Sequence, residues 1–201
     1  VMFLYSGNLN VPENIRAITD TLFVENARVQ IGNYNLRHHD YMSTTKHLGE
    51  IQFNQGSTNA RSSATSYALN NTISTLIEIR GVGIGKTSFK RRVNSAFSIA
   101  LSYLKTSFKN SDFIKSELKK SLNYNSKDIV VTSSRTVEKE IIQTIDLNSN
   151  KIIDYEVTIR DALRSNPTLV RKRPSGYLIL EENVELINKL RILGLEVNIV
   201  E

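Results

Sequence analysis

Residues 76–108 constrain the fold of this chain more than any other stretch. A short apolar run, Leu76, Ile77 and Ile79, leads into a turn with Gly81, Gly83 and Gly85, and then into a long helical period. Val93, Phe97, Ala100, Leu101 and Leu104 fall on one face, so residues 87–108 read as the strongest helix of the chain. A buried strand, a glycine turn and an amphipathic helix in succession point to an α/β fold. Glu78 lies inside the apolar run. An ionised carboxylate on a buried strand is costly unless it is paired or put to use. One reading makes Glu78 a catalytic base at a strand end facing a cleft. The other makes it a structural acid paired with Arg80 or Arg61.

The 201 residues suffice for one large domain or two small ones. A hydrophobic share of 40% is ordinary for a globular chain, and no apolar run is long enough to span a bilayer. Cysteine is absent, which excludes disulfides, thiolate nucleophiles and Cys-type zinc sites. The formal net charge is +6, with cations recurring at Lys86, Lys90, Arg91, Arg92, Lys105, Lys109, Lys115, Lys119 and Lys120. Aromatic interleaving is sparse, so these read as a solvated helix face, with no nucleic-acid partner and no membrane expected. The opening Val1–Tyr5 reads as a strand already under way, and the chain as a fragment of a longer protein.

Pro12 sits where a helix begins, with Ile15, Ile18, Leu22 and Val29 near helical spacing. Residues 33–47 read as a polar loop, Ile51–Phe53 as a short strand and residues 62–70 as a helix. A second helix near 111–122 groups Phe113, Ile114, Leu118 and Leu122. Composition shifts around Asn123–Lys127, which divides the chain into domains 1–122 and 126–201. In the second, Ile129–Val131 reads as a strand, and Val137–Leu147 pairs with Lys151–Ile159 across Asn148-Ser149-Asn150. Gly176–Leu180 and Leu195–Ile199 read as strands flanking a helix through Val184, Ile187, Leu190 and Leu193, which Gly194 ends.

Gly81-Val82-Gly83-Ile84-Gly85-Lys86-Thr87 has the strand–loop–helix setting of a phosphate-binding loop, but Arg80 stands where that loop requires glycine. His47-Leu48-Gly49-Glu50 has the spacing of a zinc ligand pair, and His38 and His39 are the remaining histidines; exposed loop histidines are the plainer reading of all three. No serine lies in a G-x-S-x-G turn, and Tyr41 and Tyr67 read as core or surface residues.

Four segments carry a family resemblance. They are Gly56-Ser57-Thr58-Asn59-Ala60-Arg61, Tyr67-Ala68-Leu69-Asn70-Asn71, Leu76-Ile77-Glu78-Ile79-Arg80-Gly81 and Phe89-Lys90-Arg91-Arg92-Val93. Together they resemble the C-terminal part of bacterial zinc carboxypeptidases of the M14 metallopeptidase family. Arg171–Leu178 and Lys189–Gly194 resemble an accessory C-terminal domain of some bacterial members. The resemblance implies the C-terminal half of an α/β/α mixed sheet followed by a small mixed α/β domain. It implies proteolysis of a peptide substrate by a zinc-dependent hydrolase, in the periplasm or outside the cell. Glu78 matches the family's general base, in an apolar setting expected to raise its pKa. Arg61 is the substrate-binding candidate. The family's zinc ligands, a His-x-x-Glu and a later His, would fall upstream of residue 1, so His47 and Glu50 receive no metal role. A non-catalytic peptide- or ligand-binding relative and a nucleotide-binding protein are the alternatives.

Overall fold

A computed structural model describes the chain apart from Asn123, Asn125, Glu201 and the side chain of Val82. It is a mixed α/β structure of two compact units, residues 1–171 and 172–201.

The first unit contains two sheets. In one, β1 (Met2–Leu4) is central, with β2 (His39–Asp40) parallel on one side and β5 (Leu76–Glu78) antiparallel on the other. After β1, Pro12 presets the backbone for α1 (Glu13–Ile18), which continues through a π-helical turn, Thr19–Val24, into α2 (Glu25–Gly32). The core forms where this long helix and α4 (Phe89–Lys109) meet the sheet: Phe3, Tyr5, Val24, Ala27, Ile31 and Ile99 are buried together. A second cluster joins Ile18 and Phe23 to Ile114 of α5 (Ser111–Leu122). The third, Val11, Ile15 and Ala68, ties in α3 (Ser63–Leu69), whose N-terminus is capped by the Ser62 hydroxyl.

Residues 33–47, expected to be loop, instead contain β2 and β3 (Met42–His47). β3 pairs antiparallel with β4 (Glu50–Gln55) along six residue pairs, from Met42–Gln55 to His47–Glu50. Threonines 44 and 45 suit a pleated surface, which their polarity conceals in the sequence. β4 runs parallel to β7 (Lys151–Lys172), and β6 (Asp128–Asp146) completes the order β3-β4-β7-β6. Thr132–Thr168 and Thr136–Arg164 contacts show β6 and β7 running in opposite directions, a longer hairpin than the expected one, and it absorbs the segment Ile129–Val131. The expected domain boundary falls partly on Asn123 and Asn125, which lie outside the described residues. Gly7 docks the end of β1 on this second sheet: its N–H donates to Ser57 O (2.9 Å), and a Cβ there would lie 2.0 Å from Ala162 O.

The second unit holds α6 (Val184–Ile192), ended by Gly194 at φ +79° as its sequence predicts. Gly176–Leu180 and Leu195–Ile199, expected as strands, form no ladder. Both are largely apolar, and a segment becomes strand only where a neighbour accepts its hydrogen bonds.

The longest helix turns its apolar face outward. α4 buries Ser95, Ser98, Ile99, Ser102 and Thr106. Val93, Phe97, Ala100 and Leu104 share one face as expected, but that face points to solvent, and Phe97 is 66% exposed. Small hydroxyl residues let α4 lie close against α2, and Ser95 satisfies its buried hydroxyl on the Arg91 carbonyl.

Candidate active site

β5 sets the position of Glu78. Its register places Leu76 opposite Leu4, Ile77 opposite Phe3 and Glu78 opposite Met2. Met2 in turn faces His39 on β2, so Glu78, Met2 and His39 form one row across the sheet. Directly paired residues share a face, and the neighbouring row of Ile77, Phe3 and Asp40 lies on the other. Ile77 and Phe3 belong to the core, which leaves the Glu78 row turned away from that core. The Glu78 side chain is exposed. The buried apolar setting expected for it is therefore absent. Alternation is the reason: the flanking Ile77 and Ile79 both point away from Glu78 and pack on the core cluster.

Neither expected ion pair forms. Among the described residues no cation lies within salt-bridge distance of Glu78. Arg80 follows two residues on, its carbonyl accepting a bond from Arg91 Nη2 at 2.8 Å. Arg61 lies in an exposed turn whose backbone N–H donates to Asn59 Oδ1 (3.0 Å). That turn is tied to the far end of β1, through Gly7 N–H to Ser57 O and Asn8 Nδ2 to Thr58 O. Glu78 and Arg61 thus belong to opposite ends of the same central strand.

The Val1 amine donates to the Arg37 carbonyl (2.8 Å), and its pKa is lowered, first by burial and then by Arg91. His38 is likewise lowered, by burial and then by Arg28. His39 stands two strand spacings from Glu78, about 10 Å between backbones. Its Nδ1 lies 3.0 Å from the Asp40 carbonyl. His47 and Glu50 face each other across the β3–β4 turn, where Thr158 and Gln52 both donate to the Glu50 carboxylate. Among the described residues no three His, Cys, Asp or Glu side chains converge as a metal site would require. The glycine loop after β5 is a 3₁₀ turn, Val82–Ser88, closed on itself by the Ser88 hydroxyl, which donates to the Gly81 carbonyl at 2.5 Å.

Sequence reasoning missed a second group. Arg28 binds Asp40 at 2.5 Å and Glu25 at 3.2 Å, and reaches Asp20 at 3.8 Å. The Tyr5 hydroxyl joins them, its pKa raised by burial and then by Asp40 and Asp20. Asp40 is itself raised, burial outweighing the Arg28 charge. The group adjoins a cavity of about 280 Å³ that Tyr5, Asp20, Arg16 and Arg164 help to line. Its one sequence signal is the two-turn spacing of Asp20 and Arg28 on a helix.

No protein-family model matches the chain. No solved structure matches it. Curated proteins do match it. Carboxypeptidase 2 of Trichophyton rubrum is 26% identical over 203 residues, covering 97% of this chain and 37% of the relative. A probable carboxypeptidase 2 of Arthroderma benhamiae is 25% identical over 199 residues, covering 97% and 38%. Carboxypeptidase 2 of Trichophyton equinum is 24% identical over 199 residues, covering 97% and 37%. Nearly the whole chain is thus similar to fungal proteins named carboxypeptidase 2, while it spans little more than a third of their length.

Proposed function

We propose that this chain is the part of an M14-type metallocarboxypeptidase that carries the general base, Glu78. One observation supports the assignment above the rest. Glu78 is fixed by strand register at the end of β5, yet it is exposed and without an ion pair among the described residues. A carboxylate held by backbone pairing but free at its oxygens is placed to take a proton from water and return it to a leaving amine. The similarity to carboxypeptidase 2 proteins across 97% of the chain supports the same reaction class.

The substrate of this reading is a peptide, and Arg61 is its binding candidate on this chain. A periplasmic or extracellular location follows from the family resemblance, and no helix of the described residues is long and apolar enough to cross a membrane. Zinc also belongs to the family reading, but the described residues do not fit it, since no three-donor group converges. On this reading the ligands belong to chain upstream of residue 1.

The test is Glu78→Gln in the full-length gene product, read as release of the C-terminal residue from a peptide. Loss of a general base lowers kcat by about 10²–10⁴-fold, with the fold unchanged. A variant retaining a third or more of the parent activity rules out the assignment.

A further inference from the structure

The outward face of α4 is apolar and exposed. Phe89, Val93, Phe97, Ala100, Leu104 and Phe108 recur every three or four residues and are all exposed, Phe108 at 85%. They form one continuous stripe about 28 Å long on an α-helix of this spacing. The inward face of the same helix is mostly hydroxyl residues. A surface helix normally does the reverse, burying its apolar face and wetting its polar one. Beside the stripe, a cavity of about 650 Å³ opens between α2 and α4, with Tyr34, Leu36, Lys90, Arg91, Phe97 and Leu101 among its lining.

Charge selects the occupant. α4 carries Lys90, Arg91, Arg92, Lys105 and Lys109 and not one acid. A second copy laid along the stripe, in either direction, would set cations against cations at both ends, which opposes pairing. A helix with an apolar stripe edged by Asp or Glu meets both demands. The curated relatives extend far beyond the matched region, which is 37% of carboxypeptidase 2 of Trichophyton rubrum. The stripe begins one glycine turn after β5, whose outer edge has no partner strand among the described residues.

We propose that an acidic amphipathic helix from the part of the parent chain outside residues 1–201 covers the α4 stripe in the full-length protein. This rests on the parent being longer, as the functional reading above also holds, but not on Glu78 being catalytic.

Hydroxyl-radical footprinting of the full-length gene product tests it without any substitution. After correction for intrinsic reactivity, Phe89, Phe97 and Phe108 are expected to oxidise at least tenfold more slowly than the loop residue Leu147, which is 85% exposed. This protection should be independent of protein concentration and of anionic phosphatidylglycerol vesicles. Three results overturn the proposal: oxidation of the phenylalanines as fast as Leu147, protection that appears only where the mass doubles, or protection that appears only with vesicles. The readout involves no catalysis, so an inactive Glu78→Gln protein that keeps the protection separates the two readings.

Discussion

The inverted helix makes a quantitative claim about α4. Ile99 is 1% exposed and packs among Phe3, Tyr5, Val24, Ala27 and Ile31. Replacing it by alanine removes three buried carbons, about 2.5 kcal/mol of transfer free energy at ~0.8 kcal/mol each. The void left among Phe3 and Ile31 adds a cavity term, for a total of about 3–4 kcal/mol. Phe97, two positions earlier, is 66% exposed. Serine there forfeits only the third of the ring that touches protein and some helix propensity, about 1 kcal/mol together. Urea unfolding of the 201-residue chain, followed by circular dichroism, compares Ile99→Ala with Phe97→Ser at unchanged m-value. Equal losses, or a Phe97→Ser loss exceeding that of Ile99→Ala, would mean that α4 is rotated with its aromatic stripe inward.

Three further outcomes follow from single contacts. Gly7→Ala sets a Cβ 2.0 Å from the Ala162 carbonyl, a backbone atom that cannot rotate aside, and thermal unfolding should show a loss of about 2 kcal/mol or more. Asp161 is 2% exposed and accepts from the Leu163 N–H (2.8 Å) and Arg164 Nε (2.6 Å), so Asp161→Ala takes the acceptor from two partly buried hydrogen bonds and should cost about 1–3 kcal/mol in urea unfolding. Tyr5 and Tyr103 both have pKa values raised by burial above the ordinary phenol value of about 10. Each therefore adds stability that is complete below pH ~10 and is lost as pH climbs toward its folded value. Absorbance at 295 nm should show a late step coincident with alkaline unfolding, and that step should vanish in the Tyr5→Phe, Tyr103→Phe double variant; its persistence refutes the assignment.

Backbone-scale features were legible where local chemistry decides them. The strand Leu76–Glu78, the helix after the glycine turn and the Gly194 stop all follow from period and φ preference. Features decided by partners were not. The period of α4 identified two faces but not which one is buried, because the choice lies in α2, whose approach suits serine better than phenylalanine. Polar residues 42–47 became a strand because β4 lies beside them, while apolar residues 176–180 and 195–199 did not because no strand does. Glu78 shows the limit most directly. Its sequence neighbours are apolar, but on a strand neighbours in sequence occupy the opposite face, so their apolarity says nothing about the carboxylate's own surroundings.

The other acids of the core show what a structural carboxylate looks like in this fold. Asp40 sits against Arg28 at 2.5 Å, and Asp161 against Arg164 at 2.6 Å. Each is matched to an arginine and largely withdrawn from solvent, so removing it takes away that arginine's least exposed carboxylate partner. Glu78 has neither property: it is exposed, and no cation holds it among the described residues. Its position is set by β5 backbone pairing with β1, which glutamine preserves unchanged. Glu78→Gln should therefore leave unfolding within about 0.5 kcal/mol of the parent, as surface substitutions do. A fall in peptide hydrolysis without a fall in stability would then report lost proton transfer at that carboxylate, not damage to the sheet that holds it.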